Sequence, residues 1–435
     1  MKTIARLLVI CLLMSNGMNA HAQSDKTVAP IIALNAADHI SPSAATRMYN
    51  SLIIERTFNP KCSGFTFDVV KQSLHEDEIV IETFLQEKDS GENRYIAFTI
   101  RKNYDAPHIC DLFSEDSLNS LLEKGITLFS DTIVASILLE PLNKELTGVS
   151  TIFFTPAGKL HLFPIEYCKV DNDIMLAEKY NFFRLTSSAI IPTRNKKHEK
   201  YKSYAIYAGV DINSLPDFEE EYNDDVSKCG YGYLHYSYTA ACDIHDYLSN
   251  KGIQGRLYAN EEATESSFKS LSSQPVELLL IETHGANNPS IDVDVSPNSL
   301  MFACSSYVME GGIVPEGKED GLLTYDEISK LDLSNIDFAV ISACQSGLGK
   351  IDRQGVNGLM RAFKTAGVNS LIMATDFIVD YVAGEVWKSL FREIERGKSK
   401  RESLLIALKH LELIDNGFYS SPKYWAAFIL LDGLD

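Results

Sequence analysis

The segments VELLLIETHG, residues 276–285, and IDFAVISACQSG, residues 336–347, decide how this chain is read. Each is an apolar run of strand length that gives way abruptly to polar residues and glycine, the pattern of a strand buried on both faces. Working outward, strands are predicted at 203–210, near Arg256, at 370–374 and at 425–431. Helices are predicted at about 239–250, 264–271 and 356–366, with two further amphipathic helices before the last strand. Strand-helix alternation over this length implies an α/β fold, a mainly parallel sheet flanked by helices on both faces. No repeat of about 20–50 residues is evident, which argues against a solenoid.

Toward the N terminus the pattern changes. Residues 78–85 and 95–100 read as strands around the polar turn cluster Glu87 to Asn93, which predicts a hairpin. Apolar residues at helical spacing precede it through Met48, Leu52 and Ile53 and again through Val69, Val70 and Leu74. A helical stretch from about Ser117 to Leu146 follows, then a strand from Val149 to Thr155. This N-terminal α+β subdomain ends at RNKKHEKYK, residues 194–202, a basic run read as a solvated linker. The organisation expected is a signal peptide over 1–22, a short helical extension over 23–66, the subdomain over 67–193, the basic linker over 194–202 and an α/β core over 203–435.

Lys2 and Arg6, the apolar stretch Leu7 to Met14 and Ala20-His21-Ala22 follow the order of a secretory signal, with cleavage expected after Ala22 and a periplasmic or extracellular destination. No later stretch reaches the roughly 20 apolar residues of a membrane helix, so no integral membrane segment is expected after cleavage. The net charge of −19, or −21 without Lys2 and Arg6, would repel a phosphate backbone and argues against nucleic acid as a partner. The 45% hydrophobic content excludes general disorder. Cysteines stand at 11, 62, 110, 168, 229, 242, 304 and 344. Seven would survive cleavage, an odd count that leaves at least one thiol unpaired, and the others admit too many pairings for one to be chosen. None forms a C-x-x-C pair, so a structural zinc is not expected, and no cofactor is expected either.

In open parallel sheets reacting groups gather at the carboxyl ends of strands, and the two decisive strands end in His284-Gly285 and Cys344-Gln345-Ser346-Gly347. A thiol becomes a strong nucleophile on losing its proton, and a neighbouring imidazole can take that proton and return it to a leaving amine. Cys344 and His284 are the candidates for these roles. Gly285 and Cys344 could offer backbone N–H groups to an oxyanion, and Gly347 and Gly349 would permit the sharp exit from the strand. The plainer alternative is a small core cysteine and a turn histidine. Periodicity alone does not separate the two.

Beyond these residues the chain carries ordered blocks: Glu261 to Glu265, His284-Gly285, Asp320 to Ile328, Ile341 to Gly349, Gly355 to Leu359 with Arg361 to Phe363, and Pro422 to Phe428. They resemble the CHAT family of caspase-like cysteine peptidases, related to separase, caspases and gingipains. Residues 149–164 are similar to the family's N-terminal subdomain, so the likeness runs from about residue 67 to the end. The resemblance implies a caspase-type fold and peptide hydrolysis through an acyl-enzyme, with His284 and Cys344 at the catalytic positions. A protein or peptide substrate is implied, and a regulatory partner protein is compatible with it. The tetratricopeptide repeats often found upstream in the family are not matched in 23–66.

Where many members have Ser-Leu-Trp followed by Val-x-Asp, this chain has Ala374-Thr375-Asp376-Phe377-Ile378-Val379-Asp380. In separase-like relatives the residue matching Asp380 is implicated in the pocket for the side chain before the cut, which implies a preference for Arg or Lys; Asp376 is a second candidate. The alternative for Asp380 is a cap on the helix starting at Tyr381. The acidic run Asp217 to Asp225 reads as solvated surface before it reads as a substrate-attracting loop, and Tyr231, Tyr233, Tyr236 and Tyr238 as packing under the next helix. A basic linker together with a carboxylate pocket also raises self-cleavage near Lys196 to Lys200. Competing functions are a non-catalytic scaffold or sensor and a cysteine hydrolase of a non-peptide substrate.

Overall fold

The computed structural model describes residues 40–58, 64–87, 91–171, 174–194, 200–214, 216, 230–286, 299–352 and 355–435. The signal segment, most of the basic run 194–202 and the acidic run Asp217 to Asp225 lie outside the described residues. The chain divides into two compact units, one holding Gly64–Pro192 with the helix before Arg56, the other holding Thr193–Asp435.

In the first unit, helices α1 (Pro42–Glu55) and α2 (Phe67–Ser73) precede strands β1 (Glu78–Gln86), β2 (Arg94–Ile100) and β3 (His108–Ser114). Strands β4 (Thr151–Thr155) and β5 (Asn181–Arg184) complete the order β3-β2-β1-β4-β5, antiparallel among the first three and parallel thereafter. The predicted hairpin is β1-β2. Strand β3 is half exposed and polar at its start, so its sequence lacks the apolar run that marks its neighbours. The single helix expected over 117–146 is broken into α3 (Glu115–Leu122) and α4 (Ile133–Leu139) with 3-10 turns around them. Gly125 at φ +60 stops the first helix, and Pro141, which cannot donate, sits in the 3-10 turn after the second. A buried charge is satisfied here. Arg56 bonds Glu82 at 2.8 Å, and the other Glu82 oxygen accepts from the N–H and hydroxyl of Ser188.

The second unit is a six-stranded sheet with order β7-β6-β8-β9-β10-β11. Its strands are β6 (Ser203–Val210), β7 (Gln254–Asn260), β8 (Leu278–Glu282), β9 (Phe338–Ser342), β10 (Ser370–Ala374) and β11 (Phe428–Leu431). All pairs are parallel except β10-β11, so the expected α/β class with a mainly parallel sheet is what the chain adopts. Helices α5 (His235–Asn250), α6 (Glu265–Lys269), α7 (Tyr325–Ile328), α8 (Leu359–Thr365), α9 (Asp380–Glu395) and α10 (Lys400–His410) cover it.

Alternation along the strands sends residues to two layers. Leu279, Ile281, Ala339 and Ile341 join Phe268, Ile328, Leu359 and Phe363 in one core beneath α6, α7 and α8. On the other face Trp387 of α9, fully buried, donates its indole N–H to the Ser342 hydroxyl at 2.9 Å. Helix α9 buries Val382, Val386, Leu390 and Ile394, one stripe at helical spacing, and crosses α5 where a methyl group on Gly384 would lie 2.9 Å from the Ala240 side chain. Strand β11 is shorter than predicted: Trp425 is buried but follows a 3-10 turn, with its indole donating to the Ser420 carbonyl.

Candidate active site

Strands β8 and β9 run in parallel with Glu282 opposite Ser342, and the N–H of Thr283 extends the ladder to the Ser342 carbonyl at 3.3 Å. His284 and Cys344 each lie two residues further on. Register alone therefore brings them out at the same sheet edge, on strands spaced about 4.8 Å apart.

His284 is partly buried, with its ring against Tyr231 at a centroid distance of 4.9 Å. Its Nε2 lies 2.7 Å from the Gly232 carbonyl. A carbonyl can only accept, so Nε2 carries the proton and Nδ1 is the basic nitrogen of the neutral ring. Burial lowers the pKa of the imidazole below its ordinary value, against the opposing pull of the Gly232 bond and the Asp380 charge. Tyr231 thus belongs to the site, whereas the other three tyrosines of its cluster pack elsewhere: Tyr233 on Tyr238 and Tyr236 on Tyr381.

Cys344 is partly buried, with Sγ 4.0 Å from the Ile378 carbonyl. Burial raises its thiol above the ordinary value, and the nearby Asp376 carboxylate adds to this. Both shifts favour the neutral forms, the protonated thiol and the unprotonated imidazole. The turn after Cys344 is made differently from the glycine exit expected. Gln345 itself takes the left-handed conformation at φ +58 and donates its N–H to the Asp376 carbonyl at 3.1 Å. Gly347 serves close approach instead: its N–H reaches the Ala374 carbonyl at 2.7 Å, and a Cβ there would stand 3.1 Å from that oxygen. Gly285 opens a two-residue strand, Gly285–Ala286, paired with Ser299–Met301.

The two acidic candidates part company. Asp376, partly buried, lies close enough to Cys344 to act on its thiol, and burial raises its own pKa; one carboxylate oxygen accepts from the Phe377 N–H at 2.7 Å. Asp380 caps a helix, but not its own. Its oxygens accept from the N–H groups of Tyr236 at 3.0 Å and Ser237 at 2.8 Å and from the Ser237 hydroxyl, at the start of α5. That cap from a distant element is why α5 begins at His235 rather than near residue 239.

Glu282 was passed over in reading the sequence, although a carboxyl closing the run LLLIE is itself a signal. It is fully buried, and the Ser237 side chain beside it is the polar neighbour that favours its charged form. Burial holds it well above the ordinary carboxyl range, with the Asp380 charge acting in the same direction. The Gly232 carbonyl could not have been read from sequence, since a backbone oxygen carries no residue signature.

A second carboxylate group, Glu265, Glu319 and Glu327, converges within 4.8 Å. The ammonium of Lys269 stands where a metal would, at 2.7, 2.6 and 2.8 Å from the three. Among the described residues, Cys110, Cys168, Cys242 and Cys344 are free thiols, and no helix is long and apolar enough to cross a membrane.

Two solved structures are similar at low identity. The crystal structure of the Arg-specific cysteine proteinase gingipain R is similar at 10% identity and a TM-score of 0.44, covering 69% of this chain and 67% of that one. The Saccharomyces cerevisiae separase-securin complex is similar at 10% identity and a TM-score of 0.48, covering 84% of this chain and 30% of that one. No curated protein matches the sequence. The profile of the CHAT domain matches residues 133–433, which span both decisive strands, and on that match the chain belongs to the CHAT family.

Proposed function

We propose that this chain is an exported cysteine endopeptidase in which Cys344 is the nucleophile and His284 the general acid and base. The observation that carries the reading is the register of β8 and β9, which delivers both residues to one edge, with the His284 tautomer held by Gly232. As Sγ attacks a peptide carbonyl carbon, its proton passes to Nδ1, and the carbonyl π pair moves onto oxygen. The backbone N–H groups of Gly285 and Cys344 are assigned to that oxyanion. Collapse to the thioester breaks the C–N bond as the imidazolium returns the proton to the amine. Water, deprotonated by His284, then releases the acid and the thiol.

A preference for Arg or Lys before the cut is assigned first to Asp376. The Asp380 oxygens are already engaged by three donors, whereas Asp376 is a desolvated carboxylate beside the nucleophile, and an arriving cation would relieve the cost of its burial. Export rests on residues 1–22, and an N terminus at Gln23 in the processed protein is its test. A peptide-library digest beside Cys344→Ala tests the activity and reads the residue before each cut. Cleavage persisting in Cys344→Ala, or none in the wild type, removes the peptidase reading, and cuts indifferent to Arg and Lys remove the preference.

A further inference from the structure

Helix α5 has no cap of its own. Leu234 precedes it with no side-chain hydrogen bond to offer, and its first turn holds no acidic residue. The missing acceptor comes 143 residues later in the chain, where Asp380 takes the N–H of Ser237 and its hydroxyl, together with the N–H of Tyr236. Asp380 is well placed to act as an anchor, being the first residue of the 16-residue α9, which crosses α5 tightly at Gly384. Two residues before Leu234 lies Gly232, whose carbonyl holds His284. A glycine has no side chain to order it, so the direction of its carbonyl depends on what fixes the chain on either side. Tyr231, against the His284 ring, fixes one side, and the capped start of α5 fixes the other.

We propose that Asp380 is a positioning residue of this site: by capping α5 it sets the Gly232 carbonyl, and through that carbonyl it keeps His284 in the tautomer whose Nδ1 takes the Cys344 proton. This rests on the peptidase reading for its purpose but not for its test. Asp380 touches neither reacting atom, and its role is distinct from the substrate pocket suggested by family resemblance.

The experiment uses the full chain with labelled histidine, reading the His284 tautomer by nitrogen-resolved NMR and the alkylation of Cys344 by chloroacetamide against pH, mapped to its peptide by mass spectrometry. Asp380→Ala is expected to replace the single Nε2–H tautomer by a mixture. Its Cys344 alkylation at pH 7 should fall about tenfold, part of the roughly 10²–10⁴-fold that a positioned proton acceptor supplies, toward the rate of His284→Ala. Asp380→Asn keeps an acceptor at the helix start and removes only the charge, so it should keep the tautomer while His284 titrates lower. A folded Asp380→Ala with the wild-type tautomer and alkylation rate overturns the proposal, as does Asp380→Asn losing the tautomer as fully as Asp380→Ala. Should Asp380→Ala fail to fold, Ser237→Ala removes one of the three donors and is expected to give an intermediate mixture; wild-type behaviour there overturns it equally. None of these readings needs a substrate, so a wild type that cleaves nothing in the peptide digest would end the peptidase reading and leave the positioning role standing.

Discussion

Replacing Glu282 by glutamine should make the protein more stable, and increasingly so as pH rises. The carboxyl is fully buried, and burial outweighs the opposing pull of the Ser237 side chain, so the folded state keeps it protonated above the ordinary value of 4.5, while the unfolded chain releases the proton near that value. Between those two points the folded form binds one proton more than the unfolded form. Stability is therefore fully present below the unfolded value and is lost as pH rises, by about 1.4 kcal/mol per pH unit from this group alone. Glutamine has nearly the same volume, stays neutral at every pH and contributes no such slope. From pH 5 to pH 7 the stability of Glu282→Gln relative to wild type should thus grow, by at most about 2.7 kcal/mol, the limit for one proton over two pH units. Urea unfolding at pH 5, 6 and 7 measures it, and comparing the two proteins at each pH removes the opposite slopes of carboxylates such as Asp337 and Glu145, which are held below their ordinary values. Two stability curves running parallel over this range would refute the claim that Glu282 is a neutral acid in the fold.

Peptide cleavage should lose its rate on the acid side with a midpoint below 6.5, because burial lowers the pKa of His284 and the base is lost as pH falls through that value; a midpoint above 6.5 in kcat/KM contradicts this. Lys269→Met should destabilise by about 3 kcal/mol in thermal or urea unfolding, since it removes the ammonium shared by three converging side chains and strands the Glu327 carboxylate beside Glu265, whose own carboxyl, pushed up to about 9, is neutral at pH 7. The loss should shrink as pH falls and Glu327, whose carboxyl Lys269 holds below its ordinary value, takes up its proton, and a uniform loss at all pH values would point to packing instead. If the basic run is cut by the protein itself, intact-mass measurement will show fragments ending near Lys196 to Lys200 in wild type and a single full mass in Cys344→Ala; identical spectra exclude it.

Much of the second unit was legible because its strands are continuous apolar runs, and the two that matter end abruptly in His284 and Cys344. Periodicity locates such strands well, and parallel pairing then makes their last residues neighbours. What it does not carry is anything that depends on a partner distant in sequence. Helix α5 begins where it does because of Asp380, and the orientation of His284 depends on a backbone carbonyl. Asp380 could be read as a pocket carboxylate or as a cap for its own helix, and the cap it makes is on another. The turn after Cys344 misled for a related reason: glycines advertise left-handed conformations, but here Gln345 adopts one, held by the N–H it gives to Asp376. In the first unit, Gly125 and Pro141 were visible as breakers inside a helical pattern that was read through them.

The charge states at the site follow from where the fold puts it. A thiolate-imidazolium pair would place two charges where burial already shifts both groups toward neutrality, raising the Cys344 thiol and lowering the His284 imidazole. Asp376 adds a negative charge beside the sulfur, which opposes the thiolate further. Both shifts oppose proton transfer from the thiol to the imidazole, and whatever changes that balance eases it. A substrate cation held by Asp376 would do so, because it neutralises the carboxylate that opposes thiolate formation at the moment the peptide carbonyl comes within reach of Sγ. On this account recognition and activation are the same event, and Asp376→Asn should have two opposite effects: faster alkylation of Cys344 in the absence of substrate, and slower cleavage after Arg or Lys. Cleavage and alkylation moving in the same direction in that variant would separate the acidic residue from the nucleophile it borders.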